Sequence, residues 1–182
     1  MSVKTMQRER DTGAWMFQVW AAFAFAVGVT GWGILNLPGE PWMRGYVFMG
    51  AAFLLAASFT LQKTIRDNRY RSVDTPAWRF MSWAAFLLSS GMTGLGVLGL
   101  QVEIWVKGYL VAALLFMVSA AFTLAKTIRD NFEADRFNAA DANHDGHLSI
   151  EEMREHLPAE AQQFKRYDKN GDGKVSQEEF LK

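Results

Sequence analysis

Two segments late in the chain carry side-chain oxygens at alternate positions. The first is D-A-N-H-D-G-H-L-S-I-E-E at 141–152, and the second is D-K-N-G-D-G-K-V-S-Q-E-E at 168–179. Carboxylate, amide and hydroxyl oxygens at this spacing can surround a hard divalent cation, which takes about six to eight oxygen ligands. The two segments therefore predict two cation sites of the same kind.

Both segments resemble the calcium-binding loop of the EF-hand at each diagnostic position. The resemblance implies side-chain ligands at positions 1, 3 and 5, a backbone carbonyl at 7, a serine acting through water at 9 and a bidentate glutamate at 12. Glycine at position 6 permits the sharp turn. The predicted calcium ligands are Asp141, Asn143, Asp145, His147 and Glu152, then Asp168, Asn170, Asp172, Lys174 and Glu179, with Ser149 and Ser176 at position 9.

Apolar residues flank both loops, which predicts a helix–loop–helix pair. Leu148 and Val175, at position 8 of each loop, should pair as a short β-bridge. The loop starts lie only 27 residues apart (168 − 141), and the second exit helix has reached Lys182 where the chain ends. We therefore expect two Ca²⁺ sites, the second being weaker. One alternative is a loop pair that folds but binds no calcium. Another is a dockerin module, but dockerin loops usually end on aspartate, and the glutamates at position 12 argue against it.

The segments that precede the loops contain an internal duplication. A-W-M-F-Q-V-W-A-A-F at 14–23 returns as A-W-R-F-M-S-W-A-A-F at 77–86, and the two copies stay in register at an offset of 63 without a gap. Both copies end on K-T-I-R-D-N, at 63–68 and 126–131. Such self-similarity indicates one structural unit used twice.

Each copy holds two apolar runs. Trp15–Leu37 and Phe80–Leu100 contain no charged residue, and shorter uncharged runs lie between Arg44 and Lys63 and between Lys107 and Lys126. Runs of this length can cross a hydrocarbon core of about 30 Å as helices. A soluble helical bundle is disfavoured because the runs are apolar on every face. The predicted fold is all-α: a four-helix transmembrane bundle of two repeated hairpins, followed by a small EF-hand pair.

Basic residues predict the orientation. Up to residue 129, ten basic residues fall on one side of the predicted spans, against only Arg44 and Lys107 on the other side. The ten are Lys4, Arg8, Arg10, Lys63, Arg66, Arg69, Arg71, Arg79, Lys126 and Arg129. The positive-inside rule then puts both termini in the cytoplasm. The predicted domains are a cytoplasmic segment 1–12, a first hairpin 13–72, a second hairpin 76–131 and the EF-hand pair 132–182.

The hairpins resemble the YiaA/YiaB two-helix family. The resemblance covers about 13–131 and is most specific in Q-K-T-I-R-D at 62–67 and A-K-T-I-R-D at 125–130. It implies a multi-pass protein of the bacterial inner membrane and brings no reaction with it. We interpret the cations of these motifs as anchors at the negative helix ends and the anionic lipid surface.

No catalytic constellation is apparent. The chain has no cysteine and a formal net charge of zero, and it contains neither a phosphate-binding glycine loop nor a histidine cluster. We therefore expect no enzyme. A nucleic-acid partner is disfavoured because the basic residues line a membrane edge.

The leading functional interpretation is a calcium sensor that acts as a regulatory or interaction protein. One alternative is a calcium-gated channel or transporter, although the spans lack the ionisable residues that such proteins usually need. Another is a static calcium buffer or a structurally stabilised membrane protein. The expected partners are the lipid bilayer, a homo-oligomer formed through small-residue runs, and a protein that binds the calcium-loaded EF-hand.

Overall fold

The computed structural model describes residues 11–70 and 74–180 of the chain. Most of the predicted N-terminal segment 1–12 and the predicted end of the second exit helix at 181–182 lie outside these residues. The described chain forms two compact units. We call residues 14–126 the bundle unit, and residues 127–180 together with 11–13 the loop unit.

The described residues fold into helices with two short strands, which confirms the predicted all-α class. In chain order the elements are α1 (Gly13–Leu35), α2 (Pro41–Tyr70), α3 (Pro76–Gly99), α4 (Ile104–Ala140), β1 (His147–Leu148), α5 (Ile150–His156), α6 (Pro158–Ala161), α7 (Phe164–Tyr167), β2 (Val175–Ser176) and α8 (Gln177–Phe180).

Four of the helices, α1 to α4, are long and apolar enough to cross a membrane. Their outer faces carry large apolar side chains, among them Phe17 and Phe80, which are 75% and 74% exposed. A surface of this kind is suited to lipid rather than water. The chain is therefore a membrane protein whose bundle unit supplies the spans.

Two of the four helices extend beyond the uncharged runs that predicted them. Helix α2 continues past Lys63 to Tyr70, and α4 continues past Lys126 to Ala140. Charged residues end the hydrophobic stretch but not the helix, because Lys, Arg and Glu are good helix formers. The pair Arg129–Glu133, with 3.8 Å between Nε and Oε1, adds an i,i+4 contact to this extension of α4.

Aliphatic side chains and buried hydroxyls fill the core of the bundle unit. Val47, Val97 and Leu110 are almost fully buried there. The hydroxyl of Thr30 donates to the Ala26 carbonyl at 2.8 Å, and that of Ser58 donates to the Leu54 carbonyl at 2.7 Å. A hydroxyl that bonds to its own helix can be buried without an unmet hydrogen bond.

The two small-residue runs, Gly28/Gly31/Gly33 in α1 and Gly91/Gly94/Gly96 in α3, pack only in part against a neighbouring helix. Gly33 and Gly96 lie against tyrosine rings of other helices. Open space surrounds the positions where Gly28, Gly31, Gly91 and Gly94 would carry a Cβ. Within each run, one glycine is therefore the point of close approach to another helix.

Candidate calcium-binding site

The first loop starts where the longest helix stops. Helix α4 ends at Ala140, and the amide of Asp141 donates to the Phe137 carbonyl at 2.9 Å. The loop closes on α5, where Ser149 is the N-cap and forms a capping box with Glu152. Glu152 therefore caps a helix and occupies position 12 of the loop, which fixes its carboxylate beside the loop.

Side-chain oxygens of the first loop accept hydrogen bonds from loop amides. Asp141 Oδ2 accepts from Gly146 N at 2.9 Å, and Asn143 Oδ1 accepts from Asp145 N at 2.8 Å. Asp145 Oδ1 accepts from the amide of His147 at 2.9 Å. Glu152 Oε1 reaches back across the loop to Asn143 N at 3.3 Å. These bonds draw the predicted ligands of positions 1, 3, 5 and 12 around one loop.

The second loop repeats this pattern position by position. Asp168 Oδ2 accepts from Gly173 N at 3.0 Å, and Asn170 Oδ1 accepts from Asp172 N at 2.8 Å. Asp172 Oδ1 accepts from the amide of Lys174 at 2.9 Å. Glu179 Oε1 reaches back to Asn170 N at 3.3 Å. The two loops therefore share one arrangement of predicted ligands.

Left-handed backbone occurs at two positions in each loop. Gly146 and Gly173, at position 6, have φ of 80° and 82°, as the turn requires. Position 4 is also left-handed, with φ of 56° at His144 and 74° at Gly171. Sequence analysis missed position 4, although the glycine at 171 was a signal. Histidine is one of the non-glycine residues that tolerate this conformation.

The predicted bridge between the loops is confirmed. β1 and β2 pair antiparallel, with Leu148 opposite Val175 and His147 opposite Ser176. Leu148 and Val175 are fully buried in a small core. The other buried members of that core are Phe137, Ala140, Met153 and Leu157.

Helices α4, α7 and α8 contribute aromatic rings to the same small core. The Phe180 ring lies edge-on to Phe137 with centroids 5.7 Å apart, and it stacks on Tyr167 at 5.6 Å. Such ring pairs stabilise a core beyond the area they bury. The loops are thus held side by side by one shared hydrophobic cluster.

Lys174 has a second role that sequence analysis missed. It was predicted to offer only its backbone carbonyl at position 7. Its ammonium Nζ donates to Asp145 Oδ2 at 2.8 Å, so a side chain of the second loop contacts a predicted ligand of the first. No local pattern predicts this contact, because the two residues are brought together only by the pairing of β1 with β2.

The loop carboxyl groups are biased toward their charged form. The hydrogen bond from Lys174 holds the pKa of Asp145 below its ordinary value of 3.8. Burial raises the pKa of Glu152, but hydrogen bonds from Ser149 and Asn143 outweigh it and leave that pKa below 4.5. Glu179 behaves in the same way, its burial being outweighed by bonds from neighbouring amides and the Ser176 hydroxyl. Ionised carboxylates are the form that binds cations.

The donor set fits calcium. Within residues 11–70 and 74–180, no three His, Asp or Glu side chains gather into a ready-made metal cluster. An EF-hand does not need one, since amide, hydroxyl and backbone oxygens complete its shell. Asp145 N bonds to both Asp141 Oδ1 (3.2 Å) and Asn143 Oδ1 (2.8 Å), so oxygens of positions 1 and 3 already share a partner. An all-oxygen set of this kind suits a hard cation.

Comparison with known proteins identifies both parts of the chain. The sequence model of the yiaA/B two helix domain matches residues 15–67 and again residues 78–130. The sequence model of the EF hand matches residues 132–157 and 160–182. No curated protein and no solved structure matches the chain. Both resemblances drawn from the sequence are confirmed, and the EF hand implies calcium binding.

Proposed function

The chain belongs to the yiaA/B two-helix domain family, and on that premise we propose that it is a calcium sensor of the bacterial inner membrane. Its bundle unit lies in the bilayer, and its loop unit binds two Ca²⁺ ions in the cytoplasm. The proposal assigns no catalysed reaction to the chain. The membrane helices serve to receive the calcium signal rather than to carry out chemistry.

One observation carries this proposal: a single helix serves both the membrane and the first loop. Helix α4 runs from Ile104 to Ala140, and the next residue is Asp141, the first predicted calcium ligand. The helix therefore contains the fourth apolar run and the entering helix of the loop. Sensor EF-hands change the angle between their two helices when calcium binds. In this chain such a change acts on the end of a membrane helix.

The apolar surface that a sensor would expose is covered in this structure. Met153 and Leu157 are buried, and Phe164 packs partly buried against the same cluster. Opening the first hand would uncover these side chains. An exposed groove of Met, Leu and Phe suits an amphipathic helix of a partner protein. We therefore include a protein partner of the calcium-loaded state in the proposal.

The cytoplasmic placement rests on the basic residues of the duplicated K-T-I-R-D-N motifs. Lys63, Arg66, Lys126 and Arg129 lie near the ends of the membrane-crossing stretches of α2 and α4, and the positive-inside rule places such ends in the cytoplasm. Cytoplasmic calcium is the pool in which an affinity of about 10⁻⁷–10⁻⁵ M permits switching.

Thiol labelling tests this orientation, because the chain has no cysteine of its own. Phe132→Cys places a thiol on the exposed face of α4 in the loop unit, and Glu103→Cys places one in the exposed connection between α3 and α4. In intact spheroplasts a membrane-impermeant maleimide should label Glu103→Cys and spare Phe132→Cys. The opposite pattern would put the loop unit outside the cytoplasm and end the cytoplasmic sensor proposal.

A distance measurement separates a sensor from a static calcium buffer. Spin labels at Phe132→Cys on α4 and Glu155→Cys on α5, both exposed positions, report the angle between the helices of the first hand. For a sensor, Ca²⁺ should shift the mean label distance while Mg²⁺ alone leaves it unchanged. The matched control adds Glu152→Gln and should show no shift. Calcium binding without a distance change would make the loop unit a buffer or a structural site.

A further inference from the structure

A tyrosine of the first hairpin inserts against a glycine of the second. The Tyr46 ring on α2 lies so close to Gly96 on α3 that a Cβ at Gly96 would collide with it. The Tyr46 hydroxyl donates to the Met92 carbonyl on α3 at 3.0 Å. The Tyr46 ring thus occupies the space that the missing side chain of Gly96 leaves on α3, and its hydroxyl finds a hydrogen-bond acceptor on the same helix. Small residues and interhelical hydrogen bonds are typical of close helix packing in membranes.

The same contact occurs a second time with the hairpins exchanged. The Tyr109 ring on α4 lies 2.7 Å from the position of a Cβ at Gly33 on α1, and its hydroxyl donates to the Val29 carbonyl at 3.0 Å. Each member is displaced by the repeat offset of 63: Tyr46 to Tyr109, Gly33 to Gly96 and Val29 to Met92.

A third cross-hairpin contact follows the same rule. The Thr93 side chain on α3 lies against Gly50 on α2, with 3.4 Å between the Thr93 Cβ and a Cβ built on Gly50. At the equivalent positions, the Thr30 hydroxyl on α1 donates to the Ala26 carbonyl on its own helix and shares this proton with the Ala113 carbonyl on α4, at 3.2 Å. Among the described residues the Thr93 hydroxyl has no acceptor, so the two threonine contacts share their position and not their hydrogen bond. The first helix of each hairpin therefore packs against the second helix of the other hairpin in the same register.

Contacts within each hairpin are repeated as well. Phe23 meets Phe59 at a centroid distance of 6.2 Å in the first hairpin, and Phe86 meets Phe122 at 6.3 Å in the second. The two hairpins therefore share both their internal contacts and the contacts that each makes with the other. In an isologous interface, a residue of one copy contacts a second residue of the other copy, and the same two residues meet again with the copies exchanged. Such an interface joins identical subunits about a two-fold axis.

Some polar contacts occur in only one of the two interfaces, without changing the contacts that both interfaces share. Gln62 Nε2 donates to the Phe122 carbonyl at 2.9 Å, whereas the equivalent residue, Ala125, has no side-chain donor. The Thr64 and Ser82 hydroxyls bond at 3.0 Å, and Val19 stands where the second serine would be required. The tyrosine–glycine and threonine contacts are common to both interfaces, so these contacts and not the extra polar bonds define how hairpins pair.

We infer that each hairpin is a self-complementary unit whose fitting partner is a second copy of itself, and that this chain joins such a pair in one polypeptide. Because each hairpin contributes two spans, both copies enter the bilayer from the same side, and the two-fold axis runs along the membrane normal. The interface does not require that one hairpin has the sequence of the first repeat and the other that of the second. Two copies of the first hairpin, or two copies of the second, should close the same bundle.

Cysteine pairs in the full chain first verify the interface. Gly50→Cys with Thr93→Cys should form a disulfide within one chain, since the separation of 3.4 Å between the two Cβ positions is close to the range of about 3.5–4.5 Å that suits a disulfide. Thr30→Cys with Ala113→Cys, the pair at the equivalent positions, should form one as well. The mispaired control combines Thr30→Cys with Gly50→Cys, which belong to one hairpin and face different partners. That control should stay reduced under mild oxidation.

Full-length chains with duplicated hairpins then test self-complementarity. In one, residues 15–67 are replaced by a second copy of residues 78–130; in the other, 78–130 are replaced by 15–67. Both segments hold 53 residues, so every position keeps its number. With cysteines at positions 50 and 93, either duplicated chain should cross-link to the same extent as the natural chain, within about twofold. Cross-linking in either one supports the inference. A fall to the level of the mispaired control in both, including through failure to fold, would overturn it.

Discussion

The two calcium loops share one ligand pattern but are supported very differently. The first loop leaves the 37-residue helix α4 and closes on the seven-residue α5. The second follows α7, which has only four residues. Asp141 is 4% exposed, whereas Asp168 is only partly buried. The two sites therefore share the same kinds of ligand, but they differ in the helices that flank each loop and in the burial of the first ligand. We expect the first site to bind calcium more tightly.

The largest effect should come from the core that joins the loops. Phe137→Ala removes a ring that is 2% exposed and touches Phe180 of the second hand. We expect a loss of about 3–5 kcal/mol in the stability of the loop unit, the usual cost of such a truncation, and weaker binding at both loops. Phe132→Ala, at an exposed position of the same helix, should cost about 0.5 kcal/mol or less. Hydrogen exchange of the loop unit compares the two variants. Equal effects would mean that the loops fold independently of this core.

The next effect in size separates the two loops directly. Glu152→Gln and Glu179→Gln keep the side-chain shape and remove one charge from position 12. We expect Glu152→Gln to abolish most of the stabilisation that calcium gives the loop unit, because that stabilisation grows with affinity. Glu179→Gln should leave most of it. Calcium-induced melting shifts of the two variants give the comparison, and a larger loss in Glu179→Gln would reverse our order of the sites.

Acidification should lower the stability of both loops alike. The two sites are therefore best compared near neutral pH. The pKa values of Glu152 and Glu179 lie below 4.5 in the folded chain, so their contribution to stability is present above about 4.5. It is lost as pH falls through the lowered values. Hydrogen exchange of the calcium-free loop unit, corrected for intrinsic rates, should therefore change little from pH 7 to about 5 and accelerate only as pH falls below 4.5. Acceleration already near pH 6 would contradict this assignment.

The smallest expected effect concerns the ion pair between Lys174 and Asp145, which joins the two loops. Lys174→Met removes the ammonium beside Asp145 while leaving the backbone carbonyl of position 7 in place. A cation on a predicted ligand opposes Ca²⁺, so the affinity of the first loop should rise, by a few-fold at most because the pair is exposed. Lys169→Met, an exposed change in the second loop without that contact, is the control. A drop in affinity in Lys174→Met would mean that the pair orders the loop.

The features that the sequence predicted well are local. The two loops, the Leu148–Val175 bridge and the four long helices follow from spacing and apolar runs within short segments. The full length of α2 was underestimated, because charge marks the edge of the bilayer rather than the end of a helix. The pairing of each hairpin with the other could not be predicted, since Tyr46 and Gly96 are brought together only by the fold. The same holds for Lys174 and Asp145.

A calorimetric calcium titration of the unmodified full-length chain in detergent, with millimolar Mg²⁺ present, tests the central claim most directly. We predict two binding events, with the tighter one in the range of about 10⁻⁷–10⁻⁵ M that sensors use. Glu152→Gln should remove the tighter event and Glu179→Gln the weaker one. Absence of calcium binding, or its complete suppression by Mg²⁺, would contradict the claim that this membrane protein senses calcium.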